Sequence, residues 1–351
     1  STAYIELYDG NFFIISGDGI ISYENFSKFE NDKKINAKII KTNFHQVVND
    51  DSILEHSFTG IKDFKIIDDE IYLSYSTKIK DNCRNTSILK GKMSYENIIF
   101  EKFFSPVECV IDGGSFGIKG YWNTGGRIIN KDKNKIYFTH GTYGDELLAQ
   151  NEDSIFGKIL EIDKIEKTYD FVSIGHRNVQ GLARDGNYLI SSEHGPSGGD
   201  EINVNHLADK KKKNFGWPIS SYGEHVGYGG DEKIRKKFYK LAPLHKSHKK
   251  YGFIEPKMTC VPSCAASQLI TLPKNFLDIN ENNIILMGTL GGAKNGYSIN
   301  FYEFSKNYEK IISENSIFLD RRVRDIIFVN EYKTIVLYLE TFGEIYLLKK
   351  K

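Results

Sequence analysis

Several things are scarce in this chain, and each scarcity excludes something. Neither sign of charge is in excess: 47 basic and 46 acidic side chains leave a formal net charge of +1. No whole-molecule field therefore draws nucleic acid or an anionic membrane surface. The one dense basic run, Lys210 to Lys213, reads as a solvated loop. No apolar stretch approaches the roughly 20 residues of a membrane span. Proline is rare, with seven in 351 residues, and long amphipathic helical periodicity is scarce too, which leaves strands to build the core. Cysteine is limited to four. Four cysteines allow three pairings, and the spacings favour Cys83 with Cys109 and Cys260 with Cys264. Zinc is poorly supported, because Cys260-Val261-Pro262-Ser263-Cys264 has no second close Cys or His pair to complete a tetrahedral site. A disulfide-bearing exported protein, periplasmic or secreted, is the expectation, with buried free thiols as the alternative. Ser1-Thr2-Ala3 reads as a mature end from which any export signal has been removed.

What is abundant points to strands. There are 21 tyrosines, 23 phenylalanines and 31 glycines, a composition suited to short strands separated by tight turns. A polar turn followed by an apolar strand recurs six times. The apolar parts are Phe12 to Ile15, Ile71 to Leu73, Ile136 to Phe138, Tyr188 to Ile190, Ile284 to Leu286 and Ile335 to Leu337. Their spacing is roughly 50 to 65 residues with one longer gap, against about 40–50 for propeller blades. The expected fold is all-β, a six-bladed β-propeller of four-stranded antiparallel blades around a central channel. It is expected to form one domain over residues 1–351, with a loop insertion at about 203–258 that includes extended loops from Gly223 to Tyr251. The terminal strands, Tyr4 to Tyr8 and Glu344 to Leu348, are expected to complete one blade together. A pair of β-sandwiches is the alternative, but it leaves the sixfold recurrence without a cause.

Three blocks stand apart from this repeat: Gly175-His176-Arg177-Asn178, then Glu193-His194-Gly195-Pro196-Ser197-Gly198-Gly199-Asp200-Glu201, then Asn214-Phe215-Gly216-Trp217-Pro218. With Pro262-Ser263 and Arg322-Val323-Arg324-Asp325 they resemble the glucose/sorbosone dehydrogenase family, the soluble quinoprotein aldose dehydrogenases. The resemblance is strongest over residues 125 to 225. It implies a six-bladed propeller using pyrroloquinoline quinone and calcium, with a small sugar or alcohol as substrate and an external electron acceptor. By the same resemblance Arg177, Asn178, Arg322 and Arg324 contact the quinone, Lys294 is the nearest candidate for the family's lysine, Gly195 and Pro196 offer carbonyls to calcium, and Asp200 matches the acidic residue beyond them. The chemistry is coherent: a planar tricarboxylate needs guanidinium forks, and calcium accepts backbone carbonyls. His176 and His194 read as loop packing, and Trp217-Pro218 as scaffold.

One position departs from the pattern. The family's general base is a histidine four residues before the arginine of a Gly-Arg pair; here the pair is Gly126-Arg127 and the position holds Asn123. An amide accepts no proton near neutral pH. His140 is the nearest substitute base by sequence and Asp145 the second. Trp122 and Tyr121 beside the vacancy offer faces to a sugar or a quinone. Two functions remain open at this point. One is a calcium-dependent quinoprotein oxidoreductase with an altered or lost base. The other is a non-oxidising propeller that binds a carbohydrate or an anionic ligand, or a lactonase-type hydrolase.

Overall fold

The structure, a computed structural model, describes residues 2–32, 34–49, 60–80, 82–111, 114, 121–209, 211–225, 232–274, 276–277, 282–292 and 295–350. It is a six-bladed β-propeller, with six mainly antiparallel sheets in chain order. The innermost strands are Ala3–Tyr8, Gly60–Ile67, Gly125–Asn130, Val179–Asp185, Ala266–Leu272 and Val323–Val329, of blades 1 to 6 respectively. Each neighbours the next, and the last neighbours the first, so the ring closes around a channel.

The six recurring apolar units all become the second strand of a blade, from Asn11–Ser16 in blade 1 to Thr334–Leu339 in blade 6. The polar residues before them are the hairpin turns from the first strand. Asp9-Gly10 and Asp68-Asp69 take positive φ at both positions, which matches the right-handed twist of the flanking strands. Buried side chains from facing sheets then form the cores between blades; Ile5 and Phe12 of blade 1, for example, pack with Ile327 and Val336 of blade 6.

Two expectations are corrected. The terminal strands do not share a blade: Ala3–Tyr8 is the inner strand of blade 1, which has its own complement of strands, while Glu344–Lys349 is the third strand of blade 6. Hydrophobic pattern marks both segments as strands but carries no information about which sheet receives them. The long gap in the repeat lies between the third strand of blade 4, Asp200–His206, and its fourth, Met258–Cys260. This excursion is not all loop. It lends Lys213–Asn214 to blade 3 as a parallel edge strand, and it contains a helix, Glu232–Leu241, whose Phe238 is buried with the following Ala242 against Leu147. Both disulfides form as the spacing suggested, Cys83–Cys109 and Cys260–Cys264.

Five of the six inner strands, all but that of blade 1, share one irregularity that builds the site. Their pairing with the second strand slips at Lys62 in blade 2, between Gly125 and Ile128 in blade 3, at Gln180 in blade 4, between Ala266 and Leu269 in blade 5 and at Arg324 in blade 6. A bulge leaves one residue out of the ladder and re-aims its side chain. The carbonyls this frees are taken by hydroxyls of the preceding blade: Ser74 donates to Gly126, Thr139 to Val179, Ser192 to Ser267, and Ser267 in turn to Val323. Backbone groups are thus satisfied while Lys62, Gln180 and Arg324 are turned toward the channel.

Candidate cofactor and substrate cavity

Arg127 bridges the channel between the inner strands. Its side chain is about 2% exposed and lies between Asp63 of blade 2, at 3.3 Å, and Asp325 of blade 6, at 3.0 Å. Its Nε donates to the Gln180 carbonyl at 2.6 Å and an Nη to the Arg324 carbonyl at 3.2 Å. The guanidinium also sits 5.0 Å from the ring centre of Tyr4 in blade 1. The two carboxylates accept one backbone N–H each, from Ile128 and Ile5. One side chain therefore ties the inner strands of five blades, and its own charge is compensated on the spot.

Adjoining this bridge is a cavity of about 260 Å³. Lys62, Arg177, Arg322 and Arg324 line it, and among the described residues no acidic side chain does. The two C-terminal arginines are held by Glu340, whose carboxylate accepts from Arg322 Nε at 2.6 Å and from Arg324 Nε at 2.5 Å. Burial alone would raise the Glu340 carboxyl, yet these two guanidiniums push it down to about 2. Arg322 further donates to the Leu290 carbonyl. Arg324 reaches Gln180 Oε1 at 3.4 Å, and Gln180 Nε2 donates to Asn178 Oδ1, which also accepts the Gly125 N–H. Arg177 is placed by its own surroundings: its guanidinium lies 5.4 Å from the Trp217 ring centre, and the indole N–H of Trp217 is fixed by Glu146.

Gly195 and Pro196, expected to offer carbonyls to calcium, line the same cavity. The Gly195 carbonyl already accepts Arg177 Nη1 at 2.8 Å. The Asp200 carboxylate is about 1% exposed and committed: one oxygen accepts the Gly195 N–H, the other accepts Ser263 Oγ and the N–H groups of Cys264 and Ala265. Calcium takes about 6–8 oxygens, and among the described residues no group of three or more His, Cys, Asp or Glu side chains converges to hold a metal. Asp200 therefore acts on the cavity from behind. It pins the Gly195 turn to the loop closed by the Cys260–Cys264 disulfide.

The sequence-selected residues divide. Asn123, Arg177, Asn178, Arg322 and Arg324 meet at the cavity together with the Gly195-Pro196 turn. Asn123 is about 2% exposed and its buried Oδ1 finds no hydrogen-bond partner among the described residues. Trp122 lines the cavity edge-on to Tyr121, ring centres 5.0 Å apart. His140 does not reach it. That ring is fully buried, with Nε2 accepting the Thr86 N–H and Nδ1 facing the Gly141 carbonyl, and burial pushes its pKa down to about 4; the substitute-base reading fails for want of access. Asp145 begins the short turn Glu146–Gln150 and is not at the cavity. His176 is buried between Ser173 and Glu193. His194, expected as packing only, does line the cavity, and burial together with nearby Arg177 and Arg324 pushes it down to about 4. Lys294 lies outside the described residues. Sequence reasoning missed Lys62, Gln180 and Glu340. A lysine within a strand gives no sign that it sits at a bulge, and Glu340 lies in a turn with no motif around it.

Comparison with known proteins agrees with this geometry. A sequence profile of the family described as glucose/sorbosone dehydrogenase matches residues 35–346. Aldose sugar dehydrogenase YliI of Escherichia coli (strain K12) is 30% identical over 178 residues, covering 46% of this chain and 44% of that protein. Quinoprotein glucose dehydrogenase B of Acinetobacter calcoaceticus is 30% identical over 135 residues, 29% of this chain and 27% of that protein. These alignments span less than half the length of either relative. Among solved structures, the apo-form of the soluble aldose sugar dehydrogenase from Escherichia coli superposes with a TM-score of 0.72 at 20% identity, over 99% of this chain and 95% of that one. The PQQ-bound form of aldose sugar dehydrogenase from Streptomyces coelicolor gives 0.66 at 18% identity, over 99% and 92%. At such identities the structural likeness speaks for the propeller fold.

Proposed function

The chain belongs to the glucose/sorbosone dehydrogenase family, and from that premise we propose that it is a quinoprotein oxidoreductase, binding pyrroloquinoline quinone in the Arg322–Arg324 cavity and oxidising a sugar or another small alcohol there. The observation that carries this reading is the convergence of three guanidinium groups, those of Arg177, Arg322 and Arg324, on one cavity with no acidic side chain lining it among the described residues. A neutral sugar has no use for that field, whereas a flat tricarboxylate matches it, since guanidinium forks pair with carboxylates in two parallel hydrogen bonds.

The residues present fit such a ligand. Arg322 and Arg324 offer forks whose orientation Glu340 fixes beforehand, so little side-chain freedom is lost on binding. Arg177, held against Trp217, supplies a third cation from the opposite blade. Asn123, at the cavity wall where the family carries its base, presents an amide that accepts no proton near neutral pH. Trp122 presents an aromatic face at the rim for stacking. When bound, the quinone supplies a two-electron acceptor for the hydrogen removed from the substrate carbon. Gly195 and Pro196, which line the cavity, are the residues whose carbonyls would be offered to a calcium ion. Two disulfides support an exported protein, periplasmic or secreted, passing its electrons to an external acceptor.

The test is a titration of the purified protein with pyrroloquinoline quinone, with and without calcium, followed by quinone absorbance and then by dye reduction with a panel of aldoses and alcohols. Saturable binding at micromolar quinone is expected. No binding at that concentration overturns the reading and leaves a propeller that binds some other anion.

A further inference from the structure

The site described above lacks a proton acceptor. Asn123 cannot serve, and His140 is sealed away. Two neutralisable nitrogens do line the cavity, Lys62 and His194, and they lie on different sides of it. His194 belongs to the Gly195 turn and its Nδ1 faces Asp200 at 3.9 Å. Lys62 is the bulged residue of the blade 2 inner strand, and its stem crosses the backbone of Gly126. A Cβ built on Gly126 meets Lys62 Cβ at 2.3 Å and Cγ at 3.1 Å, so the glycine of the Gly126-Arg127 pair is what lets this side chain through. Gly126 itself has φ +111°, a conformation other residues avoid. Asn123 and Trp122 lie just before it on the same chain segment and line the same cavity. The lysine is thus delivered past Gly126 to the cavity that Asn123 and Trp122 also line.

We propose that Lys62 is the proton acceptor of this site, taking the proton of the substrate hydroxyl; the proposal rests on the quinoprotein reading. In the step, the hydroxyl O–H bond breaks and its proton joins the lone pair of the neutral Lys62 amine. The electron pair of the C–H bond would leave with its hydrogen to the ortho-quinone, which, when bound, would supply the two-electron oxidation that turns the carbon into a carbonyl. Among the described residues, the charged groups that act on Lys62 include Arg324 of blade 6 and Glu340 beyond the second strand of that blade. Burial first and Arg324 second push the ammonium down to about 7, against an opposing pull from Glu340. An amine with that value is neutral over much of the physiological range and matches the rule that a base works best with its pKa near the operating pH. His194, held down to about 4, is the weaker acceptor.

The experiment has two independent readouts. In the first, pH-dependent trace acetylation of the quinone-free protein, read by mass spectrometry at Lys62, is expected to show a midpoint near 7; a midpoint in the ordinary lysine range, about 10.4, overturns the proposal. In the second, Lys62→Arg and Lys62→Met are compared with the unaltered protein for quinone binding and for turnover. Arginine keeps the charge but gives up no proton, so Lys62→Arg is expected to hold quinone within about tenfold while both variants lose about 10²–10⁴-fold in kcat. Quinone binding by Lys62→Arg also shows that the cavity is intact. Turnover restored by arginine, or unchanged in Lys62→Met, shows Lys62 to be a charge anchor or a bystander and overturns the proposal. So does an unaltered protein that binds quinone but oxidises no alcohol of the panel. Failure of the unaltered protein to bind quinone overturns the quinoprotein reading itself, an outcome the binding arm alone registers.

Discussion

Replacing Arg127 with methionine removes the cation from between two buried carboxylates. Asp63 and Asp325 are each about 1% exposed and keep a single backbone donor apiece, Ile128 and Ile5. Breaking a buried ion pair from one side costs about 3–5 kcal/mol, and here one cation serves two anions, so the upper half of that range applies at alkaline pH. Unfolding entropy of about 2.1 cal/mol/K per residue over 351 residues gives about 0.74 kcal/mol/K. The melting temperature is therefore expected to fall by about 5–7 °C. The deficit depends on pH in a fixed direction. Burial already holds the Asp63 carboxyl above the usual carboxylate range, despite Arg127 and Lys65. A carboxyl with a raised folded value favours the folded state while protonated and loses that contribution as pH rises through the folded value. Loss of Arg127 raises it further, so the gap between variant and parent is widest near pH 8 and narrows toward pH 5. Thermal melts followed by circular dichroism at both values measure this. A loss below about 1 kcal/mol at pH 8, the level of an exposed pair, or a gap that widens on acidification, refutes the account of Arg127 as a buried bridge. The triple variant that also carries Asp63→Asn and Asp325→Asn is expected to recover part of the loss.

Three further expectations follow from the same geometry. Removing the Cys83–Cys109 disulfide, which spans 26 residues, costs about 3.5 kcal/mol by loop entropy, whereas Cys260–Cys264, spanning 4, costs about 2 kcal/mol; denaturant titration of the paired alanine variants ranks them. The smaller one shapes the loop whose N–H groups hold Asp200, so its loss is expected to weaken quinone binding, and equal quinone affinity in both variants counts against the Asp200 clamp. Glu340→Gln frees Arg322 and Arg324 from a shared carboxylate; an added positive charge is expected to tighten binding of simple tricarboxylates and steepen its salt dependence, and calorimetry at two ionic strengths reads both. Calcium alone is expected to give no thermal shift at millimolar concentration, since two carbonyls and a committed Asp200 leave it under-coordinated; a shift without quinone contradicts the donor set described.

Much of the architecture was legible before any coordinates. The recurring turn-and-strand unit depends only on local chemistry, on Asp-Gly and Asp-Asp pairs that accept positive φ and on apolar runs that follow them, and each occurrence became the same strand of a blade. Closure of the ring was not legible. Which sheet takes the terminal strands is a matter of pairing between distant segments, and the strand pattern of Glu344–Lys349 is the same whether it joins blade 1 or blade 6.

The site divides along the same line. The chain by itself determined the family, the number of blades and the cations at Arg177, Arg322 and Arg324, because those features sit in contiguous motifs whose residue types are their chemistry. Only the tertiary structure decided what each group is free to do. Asp200 and His140 look reactive in sequence, but folding engages the Asp200 carboxylate and the His140 ring nitrogens internally. Lys62 looks like any strand lysine, until a bulge and the missing side chain of Gly126 carry it into the cavity. Residue type fixes the chemistry a group can perform; burial, partners and access, which come from segments hundreds of residues apart, fix whether it performs it.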